Sequence, residues 1–157
     1  MNTNKKTNKN TTMNITKFNI RSLSLDDYSK NYKELLNQLS PTEFSKKEYL
    51  NFIKTLFVSK NHFIQVVEID NCIVASGTLI IEQKLIHNCG KVGHIEDIVV
   101  DLRYRKFGIG KQLVKHLVKL AKKYRCYKVI LDCKDSFVYF YEKCGFQFGD
   151  KQMSIYF

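Results

Sequence analysis

Apolar positions change period several times along the chain, and each change marks the edge of an element. A first strand is predicted near Ile15–Leu23. Ser24 is then placed as a helix N-cap, with Asp26 and Asp27 bringing negative charge to the first turn. Tyr28, Tyr32, Leu35, Leu36 and Leu39 follow at helical spacing and predict a helix to about Leu39, which Pro41 and Thr42 break. Tyr49, Leu50, Ile53, Leu56 and Phe57 predict a second helix over about 46–58. The period then shortens. Two β-rich runs, Phe63–Ile69 and Ile73–Ile81, flank Asp70-Asn71, a hairpin turn. A strand over Gly93–Val100 precedes a long helix from about Gly108 to Tyr124. The remainder reads as a strand over Lys128–Asp132, a helix over Ser136–Lys143 stopped by Gly145, and one or two strands to Phe157. Neighbouring hairpins together with a helical crossover predict a mixed sheet in an α/β or α+β domain.

The first 14 residues, MNTNKKTNKNTTMN, fall outside this pattern. They hold no periodic apolar residues to offset the entropy of ordering, so they are expected to form a disordered tail ahead of one domain over 15–157. Whether the chain starts at Met1 or Met13 stays open. The 157 residues, 44% hydrophobic and 26% charged, are of ordinary single-domain size and composition. No apolar run reaches the ~18 residues of a membrane span, and the N-terminus lacks the apolar core of a secretory signal. A cytoplasmic protein is expected. The five cysteines form no C-x-x-C pair, so neither a metal site nor a disulfide framework is predicted; they are expected to be reduced and mostly buried.

The net charge of +11 changes the picture once it is located. Between Leu102 and Leu131 stand ten basic residues and no acidic one. Such a segment points to a polyanionic partner, with nucleic acid and a phosphorylated cofactor as the two classes. Within it lies Arg105-Lys106-Phe107-Gly108-Ile109-Gly110-Lys111, between a strand and the long helix. Two glycines leave backbone amides unshielded, and the first turn of the helix adds unpaired donors that suit phosphate oxygens. This is neither a P-loop nor a dinucleotide fingerprint, because Leu113 stands where a third glycine would be. On their own the glycines are equally compatible with a turn and nothing more. On the helix behind them, His116 belongs to the polar, solvent-facing set.

The turn R-x-x-G-x-G resembles the coenzyme A diphosphate motif of the GNAT superfamily of N-acetyltransferases. Four further strings resemble its glucosamine 6-phosphate N-acetyltransferase branch. They are Leu79–His87 (LIIEQKLIH), Gly93–Val100 (GHIEDIVV), Cys126–Cys133 (CYKVILDC) and Phe140–Phe146 (FYEKCGF). The resemblance covers about residues 74–146, is looser over the first two helices, and does not reach the tail. It implies a GNAT-type, mostly antiparallel mixed sheet flanked by helices. It further implies direct acetyl transfer from acetyl-CoA, in a ternary complex, to the amine of glucosamine 6-phosphate, on the way to UDP-N-acetylglucosamine. No metal is implied. A homodimer paired through the C-terminal strand is.

Carried over residue by residue, the resemblance gives the strand Ile98, Val99 and Val100 to the pantetheine arm, with the Ile98 amide facing the thioester oxygen. Arg105, Lys106, Phe107, Gly108, Ile109, Gly110 and Lys111 hold the diphosphate. Tyr141 donates to the coenzyme sulfur, and the Asp132 carbonyl orients the attacking amine. Glu96 and Asp97 hold sugar hydroxyls or the ammonium, with a general-base role for Glu96 less favoured. In a regular strand these two would point to opposite faces. Lys84, Leu85, Ile86, His87, Tyr127 and Lys128 match substrate-binding positions, and Ser40 matches one loosely. One departure stands out: the family carries a phosphate-binding arginine near its C-terminus, and Tyr156 occupies that place. A phenol gives one hydrogen bond where an arginine gives a bidentate cationic fork. Two rivals follow, an acetyltransferase for another amine and a basic nucleic-acid module. The latter is disfavoured because no aromatic residues interleave with the basic run and no nucleic-acid motif is present, so no nucleic-acid partner is expected.

Overall fold

A computed structural model describes residues 18–157; the expectations for the tail and for residues 15–17 lie outside it. Five strands form one sheet in the order β1-β2-β3-β4-β5. They are β1 (Asn19–Ser22), β2 (His62–Ile69), β3 (Cys72–Gln83), β4 (Lys91–Val100) and β5 (Cys126–Ile130). The first four are mutually antiparallel, and β5 joins β4 in parallel. The β2–β3 hairpin turns at Asp70 and Asn71, both with positive φ (50° and 60°), as two-residue hairpins require. The mixed sheet expected from the pattern is present.

Helices cover both faces. Helices α1 (Tyr32–Asn37) and α2 (Lys46–Val58) lie over one, where Leu35, Tyr49 and Ile53 meet Ile64, Val66, Ile73 and Val99. The amphipathic helix α4 (Ile109–Lys123) lies over the other, burying Leu113, Val114, Leu117 and Ala121 against Val67, Ala75, Leu79 and Ile95. Its five lysines all face solvent. A single turn, α3 (Ile86–Cys89), and a short α5 (Val138–Glu142) complete the set.

Several expectations are corrected. The helix from Ser24 to Leu39 is two pieces, a 3-10 turn (Leu25–Ser29) and α1, because Asn31 adopts a left-handed φ of 58°. The helix from Ser136 opens as a 3-10 turn (Asp135–Phe137) before α5. Strand β5 stops at Ile130, leaving Asp132 in the loop beyond it. No strand follows α5, and residues 147–157 are exposed throughout. All five cysteines are free, but none is buried: Cys89 and Cys133 are exposed and the others half-buried. His116 is half-buried rather than fully solvent-facing. Its Nε2 lies 3.1 Å from Gln65 Oε1, and burial, with Lys119 nearby, lowers its pKa.

Candidate active site

The site begins where β4 and β5 part. Their pairing runs only to His94↔Ile130, so among the described residues Ile95–Val100 have no strand partner on that side. Backbone groups along that edge need partners from outside the sheet. The same stretch of β4 is bulged. Thr78 pairs with Glu96 and Ser76 with Val99, leaving Asp97 and Ile98 together opposite Gly77. Asp97 takes a left-handed φ of 52°. Ile95 and Ile98, three apart, therefore both pack under α4, which a regular strand forbids. The opposite-face expectation for Glu96 and Asp97 rested on a regularity that β4 lacks at this point.

Glu96 is half-buried. Burial raises its carboxyl pKa, and the charges of Asp132 and then Asp97 raise it further, against His94. Glu96 on β4 and Asp132 in the loop after β5 thus lie close enough for their charges to interact. Tyr141, on α5, shares this neighbourhood. Burial pushes its phenol up to about 12, with smaller contributions from Cys133, Cys144 and Glu96. Its ring is fixed edge-on between Phe140 (5.0 Å) and Phe146 (6.0 Å). A cavity of about 670 Å³ beside it is lined by Asp132, Cys133, Tyr141 and residues 148–151.

Beyond Val100 the chain enters the glycine turn. The Asp101 side chain, almost fully buried, accepts bonds from the Arg103 amide (2.8 Å), the Arg103 guanidinium (3.0 and 2.9 Å) and Gln38 Nε2 (3.2 Å). These partners outweigh burial and hold Asp101 at about 2. Gln38 Oε1 accepts the Leu102 amide at 2.9 Å, which ties the end of α1 to this corner. Arg105 Nε donates to the Val100 carbonyl at 3.1 Å. Lys106 (φ 71°) and Gly108 (φ 77°) then reverse the chain, and Gly108 caps α4 without a side-chain acceptor. The first amides of a 15-residue helix thereby point, unpaired, from the end of β4. A Cβ on Gly110 would lie 3.3 Å from Val100 and 3.4 Å from Phe140, so a glycine there brings the helix start close to β4 and α5. Open amides and three cations suit a diphosphate.

The substrate-side candidates divide. The His87 and Tyr127 rings lie 4.5 Å apart, with Lys128 Nζ 6.0 Å from the Tyr127 ring centre. Lys84 is held by Glu82 (2.5 Å), which also takes His94 Nε2 at 3.0 Å. Leu85 and Ile86 are exposed beside them, on a turn whose His87 and Asn88 are left-handed. Ser40 stands apart, in the segment that Gln38 ties to the end of β4. Tyr156, 93% exposed, is not brought to any of them. Sequence reasoning missed Gln38, Asp101 and the Glu82–His94 pair. Gln38 and Asp101 are 63 residues apart, and neither belongs to a motif. Glu82 and His94 stand on neighbouring antiparallel strands, so a cross-strand reading of the β3–β4 pair was the signal available. Among the described residues no group of three or more His, Cys, Asp or Glu is placed to hold a metal, and no helix is long and apolar enough to cross a membrane.

Residues 24–146 match the model of the acetyltransferase (GNAT) family. The chain is 41% identical over 139 residues to glucosamine 6-phosphate N-acetyltransferase 1 of Dictyostelium discoideum, covering 87% of this chain and 88% of that one. It is 43% identical over 148 residues to the glucosamine 6-phosphate N-acetyltransferase of Arabidopsis thaliana, covering 89% and 97%. The crystal structure of the Arabidopsis enzyme superposes with a TM-score of 0.86, covering 90% of this chain and 99% of that one. With the split sheet and the glycine turn, these matches are decisive: the chain belongs to the acetyltransferase (GNAT) family, in its glucosamine 6-phosphate N-acetyltransferase branch.

Proposed function

We propose that the protein transfers the acetyl group of acetyl-CoA to the 2-amino group of glucosamine 6-phosphate, releasing CoA and N-acetylglucosamine 6-phosphate for the synthesis of UDP-N-acetylglucosamine. The observation that carries this reading is the unpaired edge of β4 between the glycine turn and Tyr141, in a chain 43% identical to the Arabidopsis enzyme. The pantetheine arm lies along Ile98–Val100 as an added strand would. The diphosphate sits on the amides of Gly108–Lys111, with Arg105, Lys106 and Lys111 around it and Phe107 covering it.

In the reaction the neutral amine attacks the thioester carbonyl carbon. A C–N bond forms, the C–S bond breaks, and the sulfur leaves with a proton. The Ile98 amide donates to the carbonyl oxygen as charge develops there, a kind of contact worth ~2.7–4 kcal/mol in other enzymes. Tyr141 donates its phenolic proton or hydrogen bond to the departing sulfur. Its neutral form suits this role, because burial keeps the phenol protonated. The Asp132 carbonyl orients the amine, while Glu96 and Asp97 hold the sugar. A Glu96 carboxyl shifted upward is also the group best suited to receive the proton the amine gives up. Lys84, Leu85, Ile86, His87, Tyr127 and Lys128 receive the phosphorylated end of the sugar, with Ser40 and Tyr156 at its margin. The protein works in the cytoplasm as a homodimer joined through residues 147–157.

A coenzyme-release assay tests the reading. Glucosamine 6-phosphate is expected to release free thiol from acetyl-CoA with kcat/KM at least tenfold above unphosphorylated glucosamine. Equal rates with both sugars, or none with either, would overturn it.

A further inference from the structure

Strand β3 has a glycine at the one position that faces the β4 bulge. Register places Asp97 and Ile98 together against Gly77, which is itself buried. The side chain of Ile98 occupies the space that a residue at 77 would fill. A Cβ there would stand 2.4 Å from Ile98 Cδ1, 3.0 Å from Leu117 Cδ1 and 3.4 Å from Leu113 Cδ2. Leu113 and Leu117 are fully buried in the core under α4 and have no free volume to retreat into. An added methyl would therefore unseat the Ile98 side chain, the neighbour on the open edge, whose terminal methyl can turn away and give up the packing beside the bulge. The bulge has little margin of its own, because the left-handed φ of Asp97 is disfavoured for a residue with a Cβ and persists only while packing holds it.

We infer that Gly77 is a positioning residue for the reaction: by leaving room for the Ile98 side chain, it holds the bulge that aims the Ile98 amide at the thioester oxygen. The inference rests on the role given to that amide above. It places the control of an oxyanion donor on a strand that touches neither substrate, chiefly through the nearest of the three atoms around position 77. The atom is Ile98 Cδ1, and valine lacks it.

The test compares four proteins by steady-state kinetics with acetyl-CoA and glucosamine 6-phosphate, and by thermal unfolding. Losing an oxyanion donor lowers kcat by ~10²–10³-fold in other enzymes, so Gly77→Ala, which displaces one, should lower kcat by about 30-fold or more. Its KM for acetyl-CoA should change far less than kcat, because the glycine turn and the Val99–Val100 edge, which carry most of the coenzyme contacts proposed above, are untouched. Gly77→Ala/Ile98→Val removes the colliding atom and should recover kcat to within about fivefold of wild type. Gly93→Ala is the control. Its Cβ would crowd the same sheet-to-α4 interface, 3.1 Å from Leu79 and 3.2 Å from Ala121, but away from the bulge. It should lower the Tm while kcat per folded molecule changes by less than about twofold.

A wild-type kcat in Gly77→Ala, an equal loss in Gly93→Ala, or a double variant that folds without recovering kcat would each overturn the inference. If Gly77→Ala does not fold, the double variant decides alone: folded and active supports it, folded and a hundredfold slower refutes it. Wild-type protein with no thiol release would instead strike the functional reading, a result distinct from all of these.

Discussion

Burial keeps the Tyr141 phenol protonated to about pH 12, so its capacity to donate does not change across the range in which enzymes are assayed. Tyr141→Phe removes the donor and keeps the ring between Phe140 and Phe146. A lost proton donor costs roughly 10²-fold or more, so kcat should fall by about a hundredfold while the KM for acetyl-CoA moves little. The ratio of wild-type to variant kcat should be the same at about pH 7 and about pH 9. A ratio that shrinks with pH would mean that the phenol ionises in that interval, against its burial. Glu96 behaves differently. Its raised pKa means that the carboxylate forms only above the usual glutamate range, so the acid limb of the kcat profile should lie above about pH 4.3 and vanish in Glu96→Gln. At this scale the motif strings single out Glu96, Asp132 and Tyr141, and the last two line one cavity. They could not reveal that Asp97 leaves the strand geometry, because a bulge depends on what the facing strand offers, and Gly77 stands 20 residues earlier.

Elements bounded by local chemistry were legible, and those bounded by tertiary contacts were not. Helix α2 runs over Lys46–Val58 as its period predicts, because Ser45 and Glu48 cap each other's backbone amides. The helical period runs through Asn31, but that residue takes the left-handed conformation asparagine tolerates, and a charge cluster fixes the turn before it. There the Arg21 guanidinium bonds both oxygens of Asp27 at 2.7 Å and also bonds Glu68, which takes Lys30 at 2.8 Å. Asp27 is completely buried. Burial alone would raise its pKa, but Arg21 and the Ser24 amide outweigh burial and lower it. Lys30 and then Arg21 lower Glu68 as well. Lowered carboxylates contribute stability above their unfolded pKa values, near 4, and that stability is lost as pH falls through the lower folded values. Arg21→Met would leave Asp27 charged, buried and poorly paired, a loss of about 3 kcal/mol by urea unfolding at neutral pH. The penalty should shrink in acid, where Asp27 is protonated in both proteins. A penalty that stays constant from pH 7 to about pH 3 would show that the guanidinium acts through packing instead.

The whole molecule poses the question that a single chain leaves open, namely what residues 147–157 do. Met153, Ile155 and Phe157 alternate with Ser154 and Tyr156, a strand pattern, yet the segment forms no strand and Met153 is 95% exposed. The pattern is readable in the sequence, but within one copy residues 147–157 pair with no strand of the sheet. Among the described residues strand β5 pairs only with β4, so its other edge has no strand partner there, beside the cavity that residues 148–151 help to line. In the proposed homodimer, the open edge of one copy would take the C-terminal segment of the other as its missing strand. Deleting residues 148–157 should therefore halve the mass seen by light scattering and lower turnover, since the lining of the cavity beside Tyr141 is lost with them. Tyr156→Arg tests the same arrangement from the substrate side. If the segment crosses to a partner's site, restoring a bidentate cation should lower the KM for glucosamine 6-phosphate by roughly tenfold and leave that for unphosphorylated glucosamine unchanged, because a charge-assisted fork is worth about 1.5–3 kcal/mol only where a phosphate meets it. A monomeric mass for the full-length protein, or equal gains with both sugars, would show that residue 156 does not reach the phosphate and that Lys84 and Lys128 carry its charge alone.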